Sequence, residues 1–597
     1  MIERMKKMTF LVPEKKRDRF LASLRKEGVV HISRISEIPL GTFDEVEHKI
    51  VRVKEAMEVL SAREDGALAK TGPSGKGEHE LVHESVKIAE ACRDKDLLDQ
   101  EIADLENKLV WFEKWGEFDP EDVRKLKEKG IDIRLYFLSK KQLKSIPKDK
   151  YLIKIIRWIG KNAYVMTVKE DGGLPFGQEE IQIPLHGPAW VKQRLIERAE
   201  MSRKLGDFLE ESVSLIGPLK ELKGVLEKKR EFLGVKFGMK EEEGFSCLRG
   251  YAPTKYSEKV VALAKENGIG YLVEDPENME ETPTYITNPP WLDVIRPVFD
   301  FMQVVPGYDE FDVSFAFLIF FSLFFAMIMG DAGYGVIFLA ITFLVRRKAK
   351  NLPWQPFFLM YVLSVATIIW GTITGVWFGI EAISEIPFLH ALIIDRINQL
   401  VPDNQSFIMY LCFVIGAAHL TVAHLFQVVK YINSPKCLAG LGWIAIVWGM
   451  FFTVGALVVN KPFPSFAGYF FIGGIPVVLV FANYQKNVLK GISETIGHLP
   501  LSVISSFSDI VSYLRIFAVG FAAICVAESF NDMALGGGVN SFGKGLLAAF
   551  VLFFGHALNI ILGCLAVVVH GLRLNMLEFA SHLDIHWSGK AYKPFTE

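Results

Sequence analysis

LPLSVISSFSDIVSYLRIFAVGFAAICVAESF, Leu499–Phe530, decides how the rest of the chain is read. It is apolar and long enough to cross a bilayer, for which about 20 residues suffice. Arg515 lies near its middle. A central arginine costs at least about 2.5–3.5 kcal/mol, so it persists only where a partner or water offsets that cost. Upstream stand Ser502, Ser505, Ser508, Asp509 and Ser512. At about 100° per residue, these and Arg515 fall within an arc of roughly 140°. Serines alone suit a helix interface tied by hydrogen bonds. Arginine and aspartate together argue for a water-lined path.

A second helix answers the first. Ser541 to about His582 carries His556, Asn559, His570 and Arg573, within an arc of roughly 100° by the same arithmetic. Glu578 follows Arg573. Two helices, each with a polar stripe and an arginine, look like two walls of one ion route.

These residues carry a resemblance. SYLRIFAVGFA around Arg515 and HGLRLNMLEF around Arg573 resemble the last two membrane helices of the rotary A/V-type ATPase stator, subunit I of prokaryotes and subunit a of eukaryotic V-ATPases. MIMGDAGYGVIF (Met327–Phe338) and WGTITGVWFG (Trp370–Gly379) extend it in the same order across the membrane half. Plain lobes without extensions favour the prokaryotic type. One position departs from the eukaryotic pattern. Where that pattern has a glutamate ten residues before the second arginine, this chain has Gly563, with Asn559 and His556 nearby. The arginines carry over; the details of the ion path do not.

The composition divides the chain into two domains. Residues 1–300 are rich in charge, and residues 301–597 in long apolar runs. A net charge of −2 argues against a nucleic-acid partner. The six cysteines are scattered without ligand spacing, so neither disulfides nor a metal site is expected, and no cofactor. The opening MIERMKKMTFLVPEKK lacks the apolar core of a signal peptide, which places this half in the cytoplasm.

Within it, residues 1–35 and 244–275 each read strand, helix, strand, and 131–168 adds further strands. Phe43, Val46, Ile50, Val53, Met57 and Leu60 are spaced by threes and fours, as are Leu98, Ile102, Leu105, Leu109 and Phe112. A third helix, about Trp190 to Phe237, carries Leu205, Leu209, Ile216, Leu219, Leu222 and Leu226, with a kink expected at Pro218. Such seams suit a coiled coil with an α/β lobe at each end, a dumbbell. KTGPSGKG (Lys70–Gly77) fails the phosphate-loop pattern, with Lys70 and Gly77 at its required glycine and hydroxyl positions, and reads as linker.

In the membrane half, Val313–Val345 would reach about 50 Å as one helix, against a hydrocarbon core of about 30 Å. We therefore divide it at GDAGYG. The expected spans are about 313–330, 332–345, 356–379, 406–432, 439–459, 467–483, 499–531 and 543–582, about eight in all, the last two long and tilted. With the amino end inside, basic residues such as Arg346, Arg347, Lys430, Lys436, Lys490 and Lys590 fall in cytoplasmic loops, and the acidic 380–405 loop falls outside. Both termini are then cytoplasmic in a multi-pass cell-membrane protein. Glu528 is an outer and Glu578 an inner channel candidate, each also readable as an interfacial charge. His419 and His424 are weaker candidates, since a lone membrane histidine more often serves packing. Asp331 is read as a turn-former rather than a pathway carboxylate.

The resemblance implies ion translocation without bond chemistry in this chain, the ATP sites lying on other subunits. The expected partners are a proteolipid c/K ring, peripheral-stalk E/G(H) subunits, the central-stalk C/d subunit and the lipid bilayer. Arg515 would meet each ring carboxylate between two half-channels, and Arg573 would support the second wall. The rival readings are a secondary transporter with a cytosolic regulatory domain and a membrane scaffold.

Overall fold

The computed structural model describes residues 2–33, 35–36, 41–63, 77–144, 146, 152–169, 180–349, 352–484, 488–536, 538 and 541–596. The stretch read as a failed phosphate loop falls outside them except for Gly77. The chain separates into two compact units, Arg34–Glu242 and Met1–Ser33 with Glu243–Thr596.

In the first unit the 3/4-spaced seams are buried. Val46, Ile50, Val53, Ala56 and Leu60 of the helix Asp44–Ser61 pack with Leu81 and Ile88 of Glu78–Trp115 and with Leu219, Leu222 and Leu226 of Ile216–Phe237. Pro188–Glu211 lies along Glu78–Trp115. The long third helix is two helices joined by a 3₁₀ turn, Ser212–Leu215. Pro218 does not kink a continuous helix; it sits in the first turn of the second one, where its missing N–H has no partner to lose. The strands Asp132–Ser139, Asn162–Lys169 and Leu152–Ile159 form an antiparallel sheet with Asn162–Lys169 in the centre.

In the second unit the two strand–helix–strand stretches are one lobe, not two. Met5–Pro13 and Phe245–Pro253 pair antiparallel over their whole length, from Met5 opposite Pro253 to Pro13 opposite Phe245. His31–Ser33 and Gly270–Glu274 take the outer places. Two strands bury too little to stand alone, whereas interleaving the halves closes one core around Phe10, Phe20 and Leu24. The chain's end returns to this lobe. Lys590–Ala591 runs parallel to Pro283–Thr284, Phe595 N–H donates to Val30 O at 2.9 Å, and the Phe595 ring is buried.

Among the described residues, five helices are long and apolar enough to cross a membrane: Trp354–Ile373, Pro402–Lys430, Cys437–Val458, Leu489–Leu535 and Phe542–Leu583. Ser314–Met329 and Ala332–Lys348 are separated by a bend of 118°, which puts the break at GDAG. Asp331 makes that turn: its carboxylate caps the second helix, accepting from Gly333 N–H at 2.7 Å and Tyr334 N–H at 3.4 Å. Gly371 packs on the same turn so closely that a Cβ there would lie 2.1 Å from Ala332 N. The two glycine-rich motifs are therefore the two sides of one contact. Ala467–Phe481 is apolar but shorter. Helix length and composition support five spans, or six with the bent pair as one, and the count of eight goes beyond them.

Candidate functional site

The helix that carries Arg515 is longer than the sequence suggested and is not continuous. It begins at Val488 rather than near 499, runs to Ser512, and resumes as Leu514–Leu535. At the break, Tyr513 N–H donates to Ile510 O at 3.2 Å and Ile516 N–H to Tyr513 O at 3.1 Å, the i→i−3 spacing of a tightened turn. Tyr513 is fully buried, and its hydroxyl meets His419 Nδ1 at 2.8 Å. Gly416 makes room for the ring, since a Cβ there would lie 2.6 Å from it. Arg515 thus follows a break pinned from a neighbouring helix.

Arg573 sits on an equally irregular segment. After Phe542–Ala566 the backbone widens into π-helical turns at Val567–Gly571 and Leu574–Phe579, on either side of Arg573. Such turns recur at functional sites and shift the register of everything beyond them. Arithmetic at 100° per residue therefore fails past Ala566. His556 and Asn559 do not share the surroundings of His570 and Arg573.

Both arginines converge on one carboxylate. Glu578 is 5 % exposed, with Oε1 3.6 Å from Arg573 Nε and 3.9 Å from Arg515 Nη2. Ser512 Oγ donates to the same oxygen at 2.8 Å and accepts from Arg515 Nη2 at 2.6 Å. Among the described residues, Arg515 Nη1 and Glu578 Oε2 are buried without a hydrogen-bond partner. His570 lies within electrostatic range of both arginines, and its buried Nδ1 is also unpartnered. Arg573 remains half exposed. Glu578 is thus no interfacial charge; it is the counter-ion that two helices share.

On one side of this cluster lies a cavity of about 590 Å³, lined in part by Ser502, Ser505, Ser506, Asp509, His424 and His582. Ser508 is exposed and not on its lining; Ser506, buried, takes the place the sequence stripe gave to Ser508. His582 joins two helices here, with Nε2 3.0 Å from Asp509 Oδ2 and Nδ1 3.0 Å from His424 Nε2.

A separate polar chain surrounds Tyr334. Its hydroxyl meets His556 Nδ1 at 2.8 Å and accepts from Asn559 Nδ2 at 3.0 Å. His556 Nε2 lies 3.1 Å from Asn531 Oδ1, and Asn531 Nδ2 donates to Phe378 O at 2.7 Å. Glu528 lies one turn before Asn531, half buried, with Glu381 and Asp532 in electrostatic range. Gly563 has no room for a side chain, because a Cβ would lie 2.7 Å from Met329 Sδ. The amide of Asn559, one turn earlier, is the polar group this chain offers there.

His419 is enclosed by rings, stacked on Phe579 at 4.4 Å and on Phe320 at 4.0 Å, and belongs to the packing. His424 belongs to the cavity. Sequence reasoning missed His582, Ser506, Tyr334, Asn531 and Tyr513. His582 carried a signal, since it stands four residues after Glu578 and so one turn along the same helix. Tyr334 and Asn531 carried none, because their roles depend on the bent pair packing against the last helices.

No family model matches the chain. It is 30% identical over 627 residues to the V-type ATP synthase subunit I of Borreliella burgdorferi, covering 100% of this chain and 99% of that protein. It is 29% identical over 632 residues to V-type ATP synthase subunit I 1 of Treponema pallidum, covering all of both. It is 26% identical over 403 residues to the A-type ATP synthase subunit I of Archaeoglobus fulgidus, covering 58% of each. Among solved structures it is similar to the crystal structure of the cytoplasmic N-terminal domain of subunit I, homologue of subunit a, of V-ATPase. That match has TM-score 0.22 and 17% identity and covers 45% of this chain and 99% of that one, a superposition too loose to add to the sequence relatives. With full-length relatives on both sides of the alignment, and the two arginine motifs meeting at one carboxylate, the chain belongs to the subunit I family of V-type and A-type ATP synthases.

Proposed function

We propose that this chain is the stator subunit that carries an ion past a rotating ring of small, carboxylate-bearing proteolipid subunits. The observation that carries the reading is the convergence of Arg515 and Arg573, from two helices, on the buried Glu578. In this reading the cavity beside Asp509 is the cytoplasmic half-channel. The polar chain of Asn531, His556, Asn559 and Tyr334 leads to the outer one, with Glu528 at its mouth.

A ring carboxylate that reaches Arg515 meets a cation that favours its ionised form, since an opposite charge within about 4–6 Å lowers a carboxylate pKa by roughly 1–3 units. It therefore releases its ion into one half-channel and is reloaded from the other. Arg515 Nη1, which has no partner among the described residues, is the donor left for that carboxylate. Glu578 holds the guanidinium in place between ring subunits, and the same positive charge bars a direct leak. The chain itself has no bond chemistry to perform; ATP is handled elsewhere in the complex. The peripheral stalks are assigned to the unit 34–242 and its exposed strand Leu152–Ile159, and the central stalk meets the ring.

The test is ion uptake by the whole complex in sealed vesicles. Arg515→Gln should abolish ATP-driven uptake while all subunits still copurify. Wild-type coupling in that variant would refute the reading. Copurification without a ring or ATPase heads would favour a secondary transporter or a scaffold.

A further inference from the structure

We propose that His582 is a proton-carrying residue and that the ion entering or leaving through the cavity is a proton. This rests on the half-channel reading above and adds the identity of the ion and a residue outside the serine–aspartate stripe. Three Brønsted groups from three helices form one unbroken line: His424 Nε2 to His582 Nδ1 at 3.0 Å, and His582 Nε2 to Asp509 Oδ2 at 3.0 Å. All three border the cavity. Along the chain the line adjoins the arginine cluster, since His582 stands one turn after Glu578, and Asp509 one turn before Ser512, which bonds Glu578.

His419 supplies the contrast. It too is a buried membrane histidine with a hydrogen-bonded Nδ1, but rings enclose it and it borders no part of the cavity. A histidine kept only for packing looks like His419. His582 instead places both ring nitrogens in hydrogen bonds to titratable groups that touch open space. Imidazole is suited to this task because it accepts a proton at one nitrogen while it gives one up at the other. A sodium ion, being hard, prefers oxygen ligands, and two of these three groups present ring nitrogens.

The transfer balances without a co-reactant. Neutral His582 carries its proton on Nε2, donates it to Asp509 Oδ2, and accepts at Nδ1 from His424 Nε2–H. A proton taken up at His424 Nδ1 from the cavity lets the Nε2 proton of His424 pass to His582 Nδ1. The Nε2 proton of His582 then passes to Asp509 Oδ2. Two N–H bonds break, while two N–H bonds and one O–H bond form; the excess proton now resides on Asp509 as a carboxylic acid. The reverse sequence empties it. The charged and titratable groups around His582 are His424 and, in electrostatic range, His419 from one helix, Asp509 from a second, and Glu578 and Asp584 along its own segment, with Lys430 and Lys436 across the cavity.

The experiment uses the intact complex in vesicles with an internal pH indicator. His582→Gln should lower ATP-driven acidification by about a hundredfold, the lower end of the range for loss of one acid–base group. Added imidazole should restore a part of it, and His582→Lys should not respond to imidazole in the same way. Acidification at the wild-type rate in His582→Gln, or a loss that imidazole leaves unchanged, overturns the relay. Uptake of labelled sodium in place of protons by the unmodified complex, still abolished by Arg515→Gln, overturns the proton assignment and leaves the stator reading standing. Pumping that survives Arg515→Gln would instead remove that reading itself.

Discussion

Glu578 is the residue on which the site depends, because it is the only described carboxylate within ion-pairing range of both arginines. Removing its charge leaves Arg515 on a partly buried helix face with Ser512 as its remaining hydrogen-bond partner. Glu578→Gln keeps the shape and loses the counter-charge. We expect ATP-driven ion uptake to fall at least about tenfold, and the isolated protein in detergent to lose roughly 1–3 kcal/mol, the cost of a buried group left imperfectly paired. Uptake assays on the reconstituted complex and thermal unfolding of the purified chain measure the two effects. Unchanged uptake would mean that Arg515 is held by something other than this carboxylate.

At the scale of elements, the break at Tyr513 sets where the Arg515 guanidinium points. It rests on a glycine and a histidine of the helix Gln405–Lys430. Gly416→Ala would bring a methyl group to 2.6 Å from the Tyr513 ring, so the ring must move and the turn with it. Overpacking of this kind costs about 1–3 kcal/mol. We expect assembly to survive and coupled pumping to fall. Tyr513→Phe, which keeps the ring and loses only the hydroxyl, should cost about 1 kcal/mol and spare most of the pumping. If the two variants behave alike in a paired uptake and melting experiment, the ring's position is not what aligns Arg515.

At the scale of the whole membrane unit, the chain leaves the α/β lobe, traverses the apolar helices and comes back to the same lobe. An even number of crossings returns a chain to the side it left, and the count of six, with the bent pair as one span, is such a number. Ser505 and Glu528 lie about 35 Å apart along the apolar stretch Leu489–Leu535, at 1.5 Å per residue, which favours exposure at opposite faces. Cysteines at these positions should react with impermeant reagents from opposite faces of the membrane, and labelling of both from one face would contradict the half-channel assignment.

The returning tail has a pH dependence of its own. His31 Nδ1 accepts from Lys593 N–H at 3.0 Å, and burial, reinforced by Lys590 and Lys593, holds its pKa below the ordinary 6.5. A histidine with a depressed folded pKa stabilises fully above its unfolded value and loses that contribution as pH falls through it. The protection factors of the amides of residues 590–596, taken against the intrinsic rate at each pH, should therefore fall between about pH 7 and about pH 5, and His31→Phe should remove most of that change.

What was legible in the sequence was whatever period and polarity encode locally. The apolar runs marked the membrane half, and the misplaced charges Arg515 and Arg573 marked the two helices that meet at Glu578. The 3/4 seams marked the helices of residues 34–242, and Asp331 among glycines marked a turn. These follow from local sterics and from the cost of burying a charge, which one segment reveals by itself.

Three things were decided only by tertiary structure. The two strand–helix–strand stretches became one sheet because their strands complete each other across more than 230 residues, a pairing no local period records. The arc drawn for the last helix failed because π-helical turns on either side of Arg573 shift the register, and those turns depend on neighbouring packing. Glu578, His582 and Asp509 came together because separate helices meet there, while Ser508, in line by arithmetic, turned away. A sequence shows which charges a membrane helix carries at a cost; only the packed fold shows what offsets that cost.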